Sequence, residues 1–215
     1  MRTHSGNLLT IDSRFLDGGI VTALHAAVRQ PTGWEGETHM ETTEQIVEAY
    51  MRYIRACATI PNLRCPGQYE IDLLAINPAT LERYHIECSV SISGSFRHLT
   101  NHQFDPDLYR ERVQKPKMRR TLGYFIERKF EPSNVIQTLG TYGFEPGRYK
   151  RVIVTWSVGP GVRETAATFT VEVWEFPTIL TKLVKFVENT RHYFSDDTLR
   201  TLHLYGMAMD AARES

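Results

Sequence analysis

The sequence has no long apolar run, few cysteines and no excess of charge of either sign. Its 215 residues include 25 basic side chains, 25 acidic side chains and only 3 cysteines. No apolar run approaches the roughly 18 residues that cross a membrane, and the polar N-terminus lacks the apolar core of a signal peptide. Three cysteines without zinc-site spacing predict reduced thiols in a cytoplasmic protein. The length suits one domain with a substantial core.

Lysine is absent from the first half of the chain, and charge is distributed unevenly. The first lysine is Lys115. Residues 1–96 carry a net charge of −4, residues 97–151 carry +6 and residues 152–215 carry −2. A basic middle segment favours a phosphodiester partner, although such a run equally fits a solvated helix face.

A predicted hairpin over residues 68–92 contains three acids on one face. Polar and apolar residues alternate along both halves, and Asn-Pro-Ala-Thr between them supplies turn chemistry. Glu70 and Asp72 lie on the first predicted strand, and Glu87 lies on the second. Because unpaired carboxylates are costly to bury beside apolar runs, the three acids predict a bound cation.

A hard divalent ion such as Mg²⁺ or Mn²⁺ suits this group of acids. Mg²⁺ binds one or two protein carboxylates and keeps several waters, and oxygen is the ligand atom that such ions prefer. The sequence predicts Asp72, Glu87 and the backbone carbonyl of Cys88 as the metal ligands.

The same residues resemble a known nuclease family. EIDLLA at 70–75 and YHIECS at 84–89 are similar to the second and third motifs of the PD-(D/E)xK nuclease superfamily. The resemblance implies an α/β, restriction-endonuclease-like core with a mixed central sheet flanked by helices. It also implies a deoxyribonuclease that hydrolyses DNA phosphodiester bonds with Mg²⁺ or Mn²⁺.

The motif departs from the family pattern at its lysine. Ser89 stands where the family has the lysine that orients or activates the attacking water and offsets charge in the transition state. One explanation is a lysine from a later helix, with Lys117 or Lys115 preferred over Lys129. A second is a metal that acts alone, since a bound divalent ion lowers the pKa of water. The third is an inactive module that binds nucleic acid or protein.

A glutamate before the hairpin resembles the family's first motif. The sequence TTEQIVEAYM, which starts at Thr42, predicts a helix with an acid in its first turn. Glu44 lies at the edge of the apolar stripe near Val47, whereas Glu48 points away from that stripe. We therefore predict a catalytic role for Glu44, although acids are common on exposed helix faces.

A basic stretch, RERVQKPKMRR at 110–120, follows the hairpin. It has six basic residues against one acid. Leu122, Phe125 and Ile126 then recur at helical spacing, which predicts an amphipathic helix over 116–130. The predicted catalytic lysine, Lys117, lies in this stretch. The residues predicted to bind nucleic acid are Arg110, Arg112, Lys115, Lys117, Arg119 and Arg120.

The rest of the chain predicts strands that alternate with helices. Such an order gives an α/β sheet covered by helices. Residues 1–38 are assigned to an N-terminal extension, which packs on the domain or contacts a second copy in a homodimer. Residues 39–215 are assigned to a single restriction-endonuclease-like domain. The later elements are predicted strands at 148–158 and 171–176, and helices at 178–189 and after Ser195.

Two other function classes fit parts of the sequence. A binding module that keeps the sheet and the basic segment predicts salt-sensitive DNA binding without cleavage. A glycosidase needs two acids that flank a sugar cleft, whereas Glu70, Asp72 and Glu87 cluster on one hairpin. A metal-dependent nuclease is therefore the leading hypothesis.

Overall fold

A five-stranded mixed sheet contains the acidic hairpin, and helices cover both of its faces. The structure is a computed structural model that describes residues 40–91, 97–105, 120–190 and 193–214. All of these lie in one compact unit, Thr38–Ser215. The α/β class predicted from the sequence is confirmed, whereas the predicted extension at 1–38 lies outside the described residues.

Seven strands form two sheets in the part of the chain that the structure describes. They are β1 (Ala58–Cys65), β2 (Tyr69–Ile76), β3 (Arg83–Ser89), β4 (His98–Leu99), β5 (Lys150–Thr155), β6 (Ser157–Val158) and β7 (Val171–Glu175). The main sheet has the order β1-β2-β3-β5-β7, and β4 pairs with β6 in a second, small sheet. The first three strands of the main sheet are antiparallel neighbours, whereas β3, β5 and β7 run parallel.

Six α-helices and two π-helical turns accompany the sheets in the same described residues. The helices are α1 (Thr42–Ala49), α2 (Leu122–Tyr124), α3 (Ser133–Thr141), α4 (Val162–Thr168), α5 (Phe176–Glu188) and α6 (Asp197–Glu214). The π-helical turns π1 (Tyr50–Ile54) and π2 (Phe125–Phe130) directly continue α1 and α2. Among the described residues, no helix has both the length and the apolar character needed to cross a membrane.

The two faces of the main sheet pack against different helices. On one face, Ile86 and Val154 pack with side chains of α1, π1, α5 and α6. On the other face, Ile153 packs with α2, π2 and α4, and Leu74 packs with α3. Because side chains alternate along a strand, Glu87 lies on the face opposite to Ile86, under π2.

The predicted hairpin is confirmed as β2 and β3. The Asn77 side chain accepts hydrogen bonds from the backbone N–H groups of Ala79 and Thr80 at 2.9 and 3.0 Å. This is the local turn chemistry expected of an asparagine that precedes a proline.

The edge strand β1 forms despite turn signals in its sequence. The turn signals from Pro61 to Gly67 predict a connection, but residues up to Cys65 form a strand that pairs with β2. An edge strand tolerates proline because one side of its backbone needs no ladder partner. Asn62 adopts φ 47°, a left-handed conformation in which asparagine is enriched. The β1–β2 pairing skips Asn62 and the residue opposite to it, Asp72.

The pairing between β2 and β3 also stops at the acids. It ends with the Leu73–Ile86 pair, one step before Asp72 would face Glu87. The backbone N–H of Cys88 instead donates to Oδ2 of Asp72 at 2.7 Å. At this point of the sheet, the Asp72 side chain therefore takes the place of a backbone acceptor for the Cys88 N–H.

Candidate active site

Asp72 and Glu87 converge on Lys129 in the interior of the fold. The Nζ of Lys129 lies 3.1 Å from Oδ1 of Asp72 and 2.5 Å from Oε2 of Glu87. It also donates to the backbone carbonyl of Glu70 at 3.2 Å. The Glu87 side chain is 0% exposed, that of Asp72 12% and that of Lys129 20%. The ammonium group thus has three oxygen partners, one for each of its donors.

In each carboxylate, the oxygen that does not contact Lys129 has a different hydrogen-bond partner. Oδ2 of Asp72 accepts the backbone N–H of Cys88, and Oε1 of Glu87 lies 2.9 Å from Nε2 of His85. The other two oxygens, Oδ1 of Asp72 and Oε2 of Glu87, both contact Lys129. Two acids from neighbouring strands therefore direct one oxygen each toward a common point, as the hairpin pattern predicts.

Lys129 is the lysine that contacts the two carboxylates, although the sequence favours Lys117 and Lys115 over it. Those two lysines lie outside the described residues, so the catalytic role of Lys117 stays a prediction. The charge of Lys129 is paired with Asp72 on β2 and with Glu87 on β3.

A sequence signal for Lys129 exists. Leu122, Phe125, Ile126 and Lys129 stand at i, i+3, i+4 and i+7, so the lysine lies on the apolar stripe of the predicted helix. A charge on a buried face needs a buried partner. The structure forms the last turn of this helix as π2, which buries Phe125, Ile126 and Phe130. π-helical turns are frequent at functional sites.

Burial and mutual charge shift the pKa values of all three groups. Burial, followed by the charge of Glu87, raises the pKa of Asp72 to about 7. Burial also raises the pKa of Glu87 to about 7, although Lys129 acts in the opposite direction. Burial by itself lowers the pKa of Lys129, but the two carboxylates outweigh it and raise that pKa well above its usual value. Lys129 is therefore a persistent cation and a hydrogen-bond donor.

The donor atoms at this point fit a hard divalent ion. Asp72 and Glu87 offer carboxylate oxygens, and the carbonyl of Cys88 follows directly after Glu87 in the chain. Mg²⁺ is commonly held by one or two carboxylates, with waters completing its octahedron. The described residues contain no cluster of three His, Cys, Asp or Glu side chains suited to a metal. An ion here would therefore depend on two carboxylates, a carbonyl and water.

Glu44 neighbours this centre and also caps its own helix. Its Oε2 accepts the backbone N–H of Glu41 at 3.1 Å, at the start of α1. Burial, followed by the charge of Asp72, raises the pKa of Glu44 to about 7. The charge of Asp72 therefore affects the Glu44 carboxylate. Its predicted catalytic role stays a prediction.

We expect Glu44→Gln to stabilise the protein more at pH 8 than at pH 5. The folded-state pKa of about 7 lies above the ordinary value of 4.5. Ionisation of Glu44 therefore costs the folded state stability as pH rises through this interval. Glutamine keeps an oxygen for the Glu41 N–H and removes the charge. After allowance for solvent screening of a half-buried group, we expect a difference of about 1 kcal/mol between the two pH values.

Thermal unfolding measures this difference, which corresponds to about 2–4 °C in Tm for a chain of this length. The matched control is Glu164→Gln, which changes an exposed glutamate in the first turn of α4. A gain of equal size at pH 5 and pH 8 would show that Glu44 ionises without an energetic cost.

Arg120 is the one predicted nucleic-acid contact that lies among the described residues. Its backbone carbonyl accepts the N–H of Thr100 at 2.9 Å, which links the start of α2 to the segment after β4. Burial lowers the pKa of the Arg120 side chain. The other predicted contacts lie outside the described residues and stay predictions: Arg110, Arg112, Lys115, Lys117 and Arg119.

An open depression of about 530 Å³ lies at the start of α1. Val90, which follows Cys88 by two residues, forms part of its wall. Lys129 is not among the residues that line it. Its lining residues are Met40, Glu41, Thr42, Thr43, Gln45 and Val90.

Comparisons with known proteins do not assign a family to the chain. Neither a protein-family model nor a curated protein matches it. Among solved structures, it is similar to the crystal structure of AF1548, a protein described as of unknown function. That match has a TM-score of 0.41 and 12% identity, and covers 80% of this chain and 98% of the other. At this level of similarity, the match carries no argument about fold or function.

Proposed function

We propose that this protein is a divalent-metal-dependent nuclease that hydrolyses phosphodiester bonds in DNA. The observation that carries the proposal is the convergence of Asp72, Glu87 and Lys129 from two strands and a helix. The nuclease superfamily that the hairpin resembles uses two acids and a lysine in a restriction-endonuclease-like core. Lys129 supplies the positive charge that Ser89 does not.

Asp72, Glu87 and the backbone carbonyl of Cys88 would hold Mg²⁺ or Mn²⁺ in this proposal. A bound ion of this kind polarises a phosphate oxygen and lowers the pKa of a bound water. The chain itself fixes the carboxylates in advance. The N–H of Cys88 holds Asp72, and His85 holds Glu87. Preorganised groups need no rearrangement when charge develops in the reaction.

Lys129 stabilises charge in this proposal and does not act as a general base. Its raised pKa keeps it protonated across the neutral range, so it has no lone pair to accept a proton from water. An ammonium group beside both carboxylates offsets the negative charge that builds on the phosphate in the transition state.

DNA is the proposed substrate because of the charge pattern around the acids. The acidic hairpin is followed directly by a segment, residues 97–151, with a net charge of +6. Cations of this kind neutralise backbone phosphates, while the carboxylates bind the metal.

All three cysteines are free thiols, which accords with the proposed cytoplasmic location.

A cleavage assay on the full chain tests the proposal. We expect single- or double-stranded DNA to be cut in the presence of Mg²⁺ or Mn²⁺, with no cutting in EDTA. Cleavage that persists in EDTA would contradict the metal role. Salt-sensitive DNA binding without cleavage under any divalent ion would instead establish the inactive binding module.

A further inference from the structure

His85 is completely buried beside Glu87. Its Nε2 lies 2.9 Å from Oε1 of Glu87, and both side chains are 0% exposed. The His85 ring packs edge-on against Phe130, with 4.9 Å between ring centroids, and lies 6.2 Å from the ring of Tyr149. Phe130 directly follows Lys129 in π2. The histidine therefore contacts both the acid and the helical turn that brings the lysine.

The hydrogen bond between His85 and Glu87 has one direction. The two atoms are 2.9 Å apart, and an ionised carboxylate only accepts, so the proton of this hydrogen bond lies on Nε2 whenever Glu87 is ionised. The other ring nitrogen, Nδ1, has no hydrogen-bond partner among the described residues.

His85 supplies a hydrogen-bond donor to Glu87 but leaves the other nitrogen of its own ring without a partner among the described residues. A buried polar atom without a partner is unfavourable, and Nδ1 is such an atom. An apolar residue at this position would avoid that cost, but it would leave Oε1 of Glu87 without its donor. The imidazole therefore satisfies Glu87 while one of its own nitrogens stays unpaired.

We propose that His85 is a positioning residue that aims the Glu87 carboxylate at Lys129 and the metal, an inference that rests on the proposed nuclease function. The terminal torsion of a glutamate has broad minima, so a carboxylate with one partner is free to turn. The Nε2–H of His85 ties down Oε1. Oε2 is then the oxygen that faces Lys129 and the common point shared with Asp72.

A positioning role predicts which parameters change. His85 is fully buried, so it cannot contact DNA. Loss of its hydrogen bond is expected to lower metal affinity and kcat and to leave the KM for DNA unchanged. Removal of a partner that orients a metal ligand typically lowers metal affinity by about 10–100-fold.

Two amide substitutions separate positioning from packing. In His85→Gln, the side-chain amide nitrogen reaches the place of Nε2 and can still donate to Glu87. In His85→Asn, the shorter amide ends near the place of Nδ1 and cannot reach Glu87. We expect His85→Asn to lower Mn²⁺ affinity by about 10–100-fold in a spectroscopic titration, and His85→Gln to restore most of it. The matched control is His98→Asn, at an exposed histidine that pairs with Ser157.

The outcomes distinguish this inference from the proposed function. Unchanged Mn²⁺ affinity in His85→Asn overturns the positioning role, and so does an equal loss in both variants, which packing would explain. If the wild-type protein neither binds Mn²⁺ nor cuts DNA, the proposed function fails. Crystal structures then test His85 directly. Positioning predicts that the Glu87–Lys129 contact persists in His85→Gln and is lost in His85→Asn, and a contact kept in both overturns it.

Discussion

Replacement of Glu87 by glutamine is expected to lower metal-dependent DNA cleavage by about 1000-fold or more, which corresponds to about 4 kcal/mol. A neutral amide is a poor ligand for a hard cation, which prefers charged oxygen. The fold is expected to persist, because the amide oxygen still accepts from one of its two neighbouring donors, His85 or Lys129, and Asp72 still pairs with Lys129. The loss is therefore chemical rather than structural.

Steady-state cleavage with Mn²⁺ measures this effect, and thermal unfolding verifies that the variant is folded. The matched control is Glu82→Gln. Glu82 accepts hydrogen bonds from the Tyr84 hydroxyl and from Lys150, each at 2.9 Å, away from the centre. We expect that control to cut DNA like the wild type. Undiminished cleavage by Glu87→Gln would remove Glu87 from the metal site.

Lys129→Met is expected to abolish cleavage and to destabilise the protein by about 3–5 kcal/mol at pH 8, since it leaves buried carboxylates without their cation. Methionine preserves much of the side-chain length and removes the charge. The energetic penalty arises at Asp72 and Glu87, whose side chains are 12% and 0% exposed. A charge that loses its partner in the interior is much more costly than one at the surface.

The penalty in Lys129→Met is expected to shrink at pH 5. The folded-state pKa values of Asp72 and Glu87 are already raised to about 7, and removal of the lysine raises them further. The folded acids then bind protons more tightly than the unfolded ones. Stability therefore falls as pH rises from about 4 through 7 and beyond. At pH 5 both acids are protonated and uncharged in the folded state, so loss of the lysine costs less stability.

Urea unfolding measures the loss of stability in Lys129→Met at pH 5 and at pH 8. Addition of Glu87→Gln to Lys129→Met is expected to recover part of the stability at pH 8, because it removes one of the unpaired charges. The control is Lys150→Met, at a lysine whose ion pair with Glu82 is 43% exposed on each side and therefore contributes little to stability. Equal deficits at the two pH values, or retained cleavage, would contradict the role assigned to Lys129.

The local pattern was enough to predict the hairpin, its turn and the shared face of Asp72 and Glu87. These features depend on residues close together in the chain, because strand alternation has a period of two and Asn77 caps its own turn. The acidic pair could therefore be identified before the fold was known. The helix that carries Glu44 was predicted for the same reason.

Three features depended on the tertiary structure. Lys129 and Asp72 are 57 residues apart in the chain, and only the packing of π2 over the sheet brings them together. The strand β1 forms despite Pro61 because an edge position has an unpaired side. The donor role of His85 depends on its complete burial against Phe130. Periodicity reports which face a residue occupies, whereas contacts between distant segments arise from packing, and those contacts decide which charges become partners.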